Sequence, residues 1–165
     1  MCEYCGCQAV DSIGELTREH DRVVDLISDA RGAYRVGDVP AMVSAARGIA
    51  TTLELHTRVE EDALFPALAG EFPEQIAELE AEHRRIEAVL GEATADPVAP
   101  DWPGRLHDVL EMLRRHILKE QDGVFPAALA TLSTEQWDAV DAVRTRVDSM
   151  DLTAQREDLP GENVR

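Results

Sequence analysis

Residues 56–66 read His56-Thr-Arg-Val-Glu60-Glu-Asp62-Ala-Leu-Phe65-Pro66, and residues 116–126 read His116-Ile-Leu-Lys-Glu120-Gln-Asp122-Gly-Val-Phe125-Pro126. His, Glu, Asp, Phe and Pro fall in register at an offset of 60 residues. On a helix, residues four apart share a face. His56 therefore points the same way as Glu60, and His116 the same way as Glu120. Leu53 and Leu64 flank the first pair on its own stripe, and Leu113 and Val124 flank the second. Both pairs face the apolar side of their helices, which is the wrong place for plain surface ion pairs.

Working outward, a weaker echo links Leu16, Glu19-His20 and Arg22 to Leu79, Glu82-His83 and Arg85. His20 lies between Leu16 and Val23/Ile27, and His83 between Leu79 and Ile86/Leu90. The chain thus reads as two helix pairs, each with an "EH" helix followed by an "HxxxE" helix. The boundaries follow from local chemistry. Asp11-Ser12 with Glu15 makes a capping box for the first helix, and Gly37 stops it. Asp38 starts the second, with Pro40 in its first turn, and Pro66 ends or kinks it. The third follows Phe72-Pro73. Pro97, Pro100 and Pro103 make a loop of residues 95–103. The fourth runs to Pro126. Ser133 to Gln136 is a second capping box, opening a shorter fifth helix through Trp137, Val140, Val143 and Val147. No segment alternates with period two. The expected fold is all-α: an up-down-up-down four-helix bundle with an additional short C-terminal helix. Residues 1–10 are expected to form a Cys-rich lead, 11–149 the bundle domain, and 150–165 a flexible tail.

Composition narrows the function. The 165 residues carry 33 acids against 16 Lys and Arg, a formal net charge of -17, which repels phosphate backbones and anionic membranes and attracts cations. No nucleic-acid or membrane partner is expected. No run of about 20 apolar residues is present to span a bilayer. Met1 to Val10 lacks a basic region followed by an apolar run, so a cytoplasmic location is expected.

The four stripes bring His20, His56, His83, His116, Glu60 and Glu120 into the interior. Burying an unpaired carboxylate costs several kcal/mol, and two close together do not both stay ionised without compensation. A pair of first-row metal ions such as iron supplies that compensation through mixed nitrogen and oxygen ligation; zinc or manganese would fit the same donors. His107, about half a turn out of phase with His116, is expected on the surface.

The order His20, His56-x-x-x-Glu60, His83, His116-x-x-x-Glu120 resembles the hemerythrin-like (HHE cation-binding) family over residues 12–130. The resemblance implies a non-heme di-iron centre reacting with O2, H2O2 or NO. The four histidines would be terminal ligands, Glu60 and Glu120 bridging carboxylates, and an oxo or hydroxo group a further bridge. Two departures from the oxygen-carrying hemerythrins stand out. Leu79 occupies the place of a second histidine on the third helix. Gln121 stands where those proteins have an aspartate, the acid falling one residue earlier at Glu120. One iron thereby loses an imidazole, and open metal positions favour H2O2 decomposition, catalase-like, over reversible O2 carriage. The alternative is O2, NO or iron sensing, binding or storage without turnover. A structural role for the metal is a third reading.

Glu87, one turn beyond His83, and Glu61 are candidate extra oxygen ligands, with surface roles as their alternative. Asp62 and Asp122 are read as braces of helix ends rather than acceptors for ligand N–H groups, Phe65 and Phe125 as apolar wall, and Glu19 and Glu82 as solvated. Cys2, Cys5 and Cys7 are too local to staple the fold. They are candidates for a separate metal or a thiol redox function, although three thiolates fall short of the four ligands zinc prefers.

Overall fold

The computed structural model describes residues 7–157, with side chains from 9 to 151. Helix α1 spans Cys7–Val36 and ends at Gly37, whose positive φ of 70° is the left-handed C-terminal stop that glycine adopts without a Cβ clash. Asp38 then caps α2, Val39–Val59, its Oδ1 accepting from the Ala41 amide at 3.0 Å. Helix α3 covers Pro73–Gly91, α4 covers Trp102–Lys119, and α5 covers Thr134–Glu157. The expected cap of α5 is in place: Ser133 N donates to Gln136 Oε1 at 2.8 Å, and Gln136 N donates to Ser133 Oγ at 3.3 Å.

Four helices run up-down-up-down as expected, with no strand among the described residues, and α5 packs along α1 and α2. No helix of the described residues is long and apolar enough to cross a membrane. Three boundaries differ from the expectation. Helix α1 begins before Asp11-Ser12, so Ser12 is buried within the helix rather than capping it. Pro103 belongs to the first turn of α4, where its missing N–H costs nothing. Helix α5 is longer than the apolar spacing through Val147 implied.

The larger difference lies after each His-x-x-x-Glu. Neither Pro66 nor Pro126 ends its helix. Instead α2 passes through a π-helical turn, Glu60–Leu64, into Phe65–Leu68, and α4 through an equivalent turn, Glu120–Val124, into Phe125–Thr131. The amide of Phe65 reaches back five residues to the carbonyl of Glu60, and Phe125 does the same to Glu120. The widened turn absorbs the proline that follows it and puts each Phe on the face of the Glu.

The apolar interior is split. One cluster contains Val23, Leu53, Ile86, Leu113 and Ile117, with Trp102 and Met42. The other contains Leu16, Val59, Leu79, Phe65 and Phe125, with Trp137 and Val140 from the C-terminal end. Each of the four helices crosses from one cluster to the other at its histidine, so the polar residues occupy a single layer between them.

Candidate metal centre

That layer contains His20, His56, Glu60, His83, His116 and Glu120, every one of them buried, with both glutamates fully inaccessible. The six side chains form two halves. The rings of His20 and His56 lie 4.5 Å apart, and those of His83 and His116 lie 4.6 Å apart. Each carboxylate spans the halves. Glu60 Oε1 is 3.1 Å from His56 Nε2 while its Oε2 is 3.4 Å from His83 Nε2. Glu120 Oε2 is 3.0 Å from His20 Nε2 while its Oε1 is 2.9 Å from His116 Nε2.

These contacts are short, yet all four carboxylate oxygens lack a hydrogen-bond partner of acceptable angle. Orphaned buried carboxylate oxygens are costly and call for compensation. The donor spacing shows what kind. Two ligand atoms about 2.1 Å from one ion and at right angles to each other lie roughly 3 Å apart. His116 Nε2 and His83 Nε2 are 2.9 Å apart. His20, His56, Glu60 and Glu120 each bring one donor atom within 4.8 Å of the others, as do His83, His116 and Glu120. Mixed imidazole and carboxylate donors suit iron, manganese or zinc. The residues therefore fit such ions at each histidine pair, with Glu120 in reach of both pairs and Glu60 approaching the second through His83.

The outward nitrogens are held by a second set of acids. Glu19 Oε2 lies 2.8 Å from His56 Nδ1, Glu82 Oε2 lies 2.8 Å from His116 Nδ1, and Glu61 Oε1 lies 2.8 Å from His83 Nδ1. An acid at Nδ1 keeps the proton there and turns the Nε2 lone pair inward. The expectation that Glu19 and Glu82 are solvated is thus corrected. At about 100° from the ligand face they reach the neighbouring helix, where the outer side of its histidine waits. The glutamate of each "EH" pair serves the histidine of the following "HxxxE" helix. Glu61, a candidate ligand, instead faces the outer side of His83. Glu87 is exposed and stays outside the cluster.

The fourth ring differs. His20 Nδ1 is buried with no hydrogen-bond partner. By the 60-residue offset, the position equivalent to Glu61 is Gln121, an amide where the other half has an acid. Phe125 and Phe65 stack on His20 and His83, at 5.5 and 5.6 Å between centroids; more than an apolar wall, they set ring planes. Asp62 is exposed, 3.8 Å from Arg146 of α5, and Asp122 is exposed too, so neither braces a helix end. His107 is not on the open surface: it is half-buried and stacked on Tyr34 at 4.7 Å. Cys2, Cys5 and the Cys7 side chain, the candidate second metal or redox site, lie outside the described residues.

Charge in the layer shifts its proton affinities. Burial pushes the His56 imidazole down, but the charge of Glu60 and the hydrogen bond to Glu19 outweigh it and lift the group to about 10. Burial likewise opposes His116, and Glu120 and Glu82 lift it to about 9. Burial raises Glu120, but His116 and His20 hold its carboxyl well below the usual range.

No curated protein and no solved structure matches the chain significantly. The family model described as the hemerythrin HHE cation binding domain matches residues 11–128, the stretch that supplies all six inward side chains. The match covers well over half of the sequence, and the chain belongs to the hemerythrin HHE cation-binding family.

Proposed function

We propose that the chain holds two iron ions between these six side chains and reacts there with a small oxidant, with H2O2 decomposition as the leading activity. Bound iron would supply the electrons by cycling between its ferrous and ferric states. One ion would sit with His20 and His56, the other with His83 and His116, and Glu60 and Glu120 would bridge them. The observation that carries this reading is the pair of buried carboxylates, each straddling both histidine pairs with its oxygens unpartnered.

The small space among these side chains supports a small reactant. A cavity of about 10 Å³ touches His20, His56, His83, His116 and Glu120, walled by Leu53, Ile86, Leu113 and Ile117. That is about one water molecule's room. Room on that scale supports a reactant as small as H2O2, O2 or NO. Thr57 and Glu87 are the polar side chains on its rim outside the six. A wider surface cleft of about 590 Å³ lies behind Glu19 and Arg144, away from the inward ring nitrogens.

The test is metal analysis with absorption spectroscopy before and after H2O2. About two irons per chain, ferric bands and sustained O2 evolution, all lost in His56→Ala and Glu60→Ala, are the expected result. The enclosed cavity also suits a second reading, O2 or NO binding without turnover, and two irons with a persistent coloured adduct would establish that one. One zinc, or a flat spectrum that iron reconstitution leaves unchanged, would overturn the di-iron assignment.

A further inference from the structure

The six inward side chains and the acids Glu19 and Glu82 follow the internal repeat, but the cations behind those acids do not. Behind His56 stands Glu19, and behind Glu19 stands Arg144 of α5. The Arg144 fork grips both carboxylate oxygens, Nη1 to Oε1 at 2.6 Å and Nη2 to Oε2 at 3.1 Å. Its Nε lies 3.3 Å from Glu15 as well, and the side chain is only 9% exposed. The equivalent acid, Glu82 behind His116, has Lys119 at 2.7 Å. That ammonium is shared with Glu78 at 2.5 Å and is 43% exposed.

The two cations act differently. A planar guanidinium bonded to both oxygens fixes the plane of the carboxylate, and hence the direction from which His56 Nδ1 is held. A hydrated ammonium is a point charge and fixes no plane. The need for such a brace is also unequal. In the His83 and His116 half, both outer nitrogens have an acid. In the other half His20 Nδ1 has none, so His56 is the one ring oriented by a hydrogen bond, and its acid depends on Arg144. Residue 144 lies beyond residue 128, where the family match ends.

We propose that Arg144 is a positioning residue for His56, so that the C-terminal helix controls how tightly the His20/His56 half of the centre binds its ion. The inference rests on the metal assignment above. It places a determinant of the centre in a segment outside the matched family domain.

The test uses the full chain, stripped with a chelator and titrated with Co2+, whose visible bands report each ion without redox chemistry. Wild type is expected to take up two ions. Arg144→Met should weaken one of them about 10- to 100-fold, as loss of an outer partner does, and leave the other unchanged. Lys119→Met should leave both within about threefold, as expected for an exposed pair. Arg144→Lys keeps the charge without the fork and should resemble Arg144→Met. Circular dichroism of each variant checks the fold. Should Arg144→Met fail to fold, Glu19→Gln carries the same test, and adding Arg144→Lys to it should weaken binding no further, because the two act in series. Two ions bound by Arg144→Met with wild-type affinity, or full rescue by Arg144→Lys, would overturn the inference and leave the metal assignment standing. A wild-type chain that binds no ion would sink the metal assignment itself.

Discussion

Phe125 lies flat against the imidazole of His20, with planes 12° from parallel. The same relation joins Phe65 to His83, at 14°. Their surroundings make the two stacks unequal. His83 also donates to Glu61, whereas His20 Nδ1 has no hydrogen-bond partner, so that ring is held by Phe125 and His56 on its faces and Glu120 at Nε2.

Phe125→Ala and Phe65→Ala should therefore separate stability from metal retention. Each removes a buried aromatic and should cost about 3–5 kcal/mol in thermal or urea unfolding. Only Phe125→Ala should also markedly speed release of metal to a chelator. Equal release rates from two folded variants would show that stacking does not orient His20.

Gln121→Glu supplies the acid that the His20 half lacks. By the repeat it occupies the place of Glu61, and it should give His20 Nδ1 a partner. Metal affinity in that half should rise about tenfold, within the range typical of such outer partners. A cobalt titration of the variant measures it, and an unchanged or weakened affinity would argue that the amide is not what leaves His20 unbraced.

Metal and protons compete for the same nitrogens. In protein stripped of metal, His56 and His116, lifted to about 10 and about 9, hold protons at pH 7. Metal uptake at pH 7 should release about two protons per chain, and fewer as pH rises through 9 and 10. Calorimetric titration in buffers of different ionisation enthalpy counts them. The sign of the stability effect follows. The raised histidines stabilise the stripped fold fully below their ordinary value of 6.5, and that contribution is lost as pH rises through about 9 to 10. The depressed Glu19, Glu82 and Glu120 contribute above their ordinary 4.5 and lose their effect as pH falls. Stripped protein should melt highest between these limits, and a melting temperature that climbs steadily toward pH 10 would contradict the assignment.

Metal should also hold the two apolar clusters together. Ligation to the folded state alone stabilises by about 2.7 kcal/mol per ion at a free concentration 100 times Kd. Chelation should lower the melting temperature, and the loss should reverse with added metal. Glu120→Ala should melt at one temperature with or without it.

Much of the centre was legible because its signals were local. His56/Glu60 and His116/Glu120 are i, i+4 pairs on apolar stripes, and a polar residue amid Leu and Val at core spacing needs no neighbour to be noticed. The bundle followed from the same stripes. What escaped depended on other helices. Glu19 and Glu82 point off their own core face, and their role exists only because a histidine of the next helix stands opposite. Arg144 on α5 looks like any charged surface residue until the pairing of α5 with α1 is known. The π turns escaped for another reason: a turn widened by one residue carries no composition of its own, and the prolines after it read as helix ends.

Those widened turns fix the gearing of the molecule. Each lets a chain that has just delivered a carboxylate rotate by one residue less than a regular helix would, so that Phe65 and Phe125 arrive beneath the imidazoles of other helices. Winding residues 60–65 or 120–125 as regular helix, with none removed, would swing everything beyond them by about 100°. The six donors would keep their places, while the aromatic floor would turn away and the lower half of the bundle would lose its meshing. The widened winding between glutamate and phenylalanine is therefore as much a part of the centre's specification as the donors themselves.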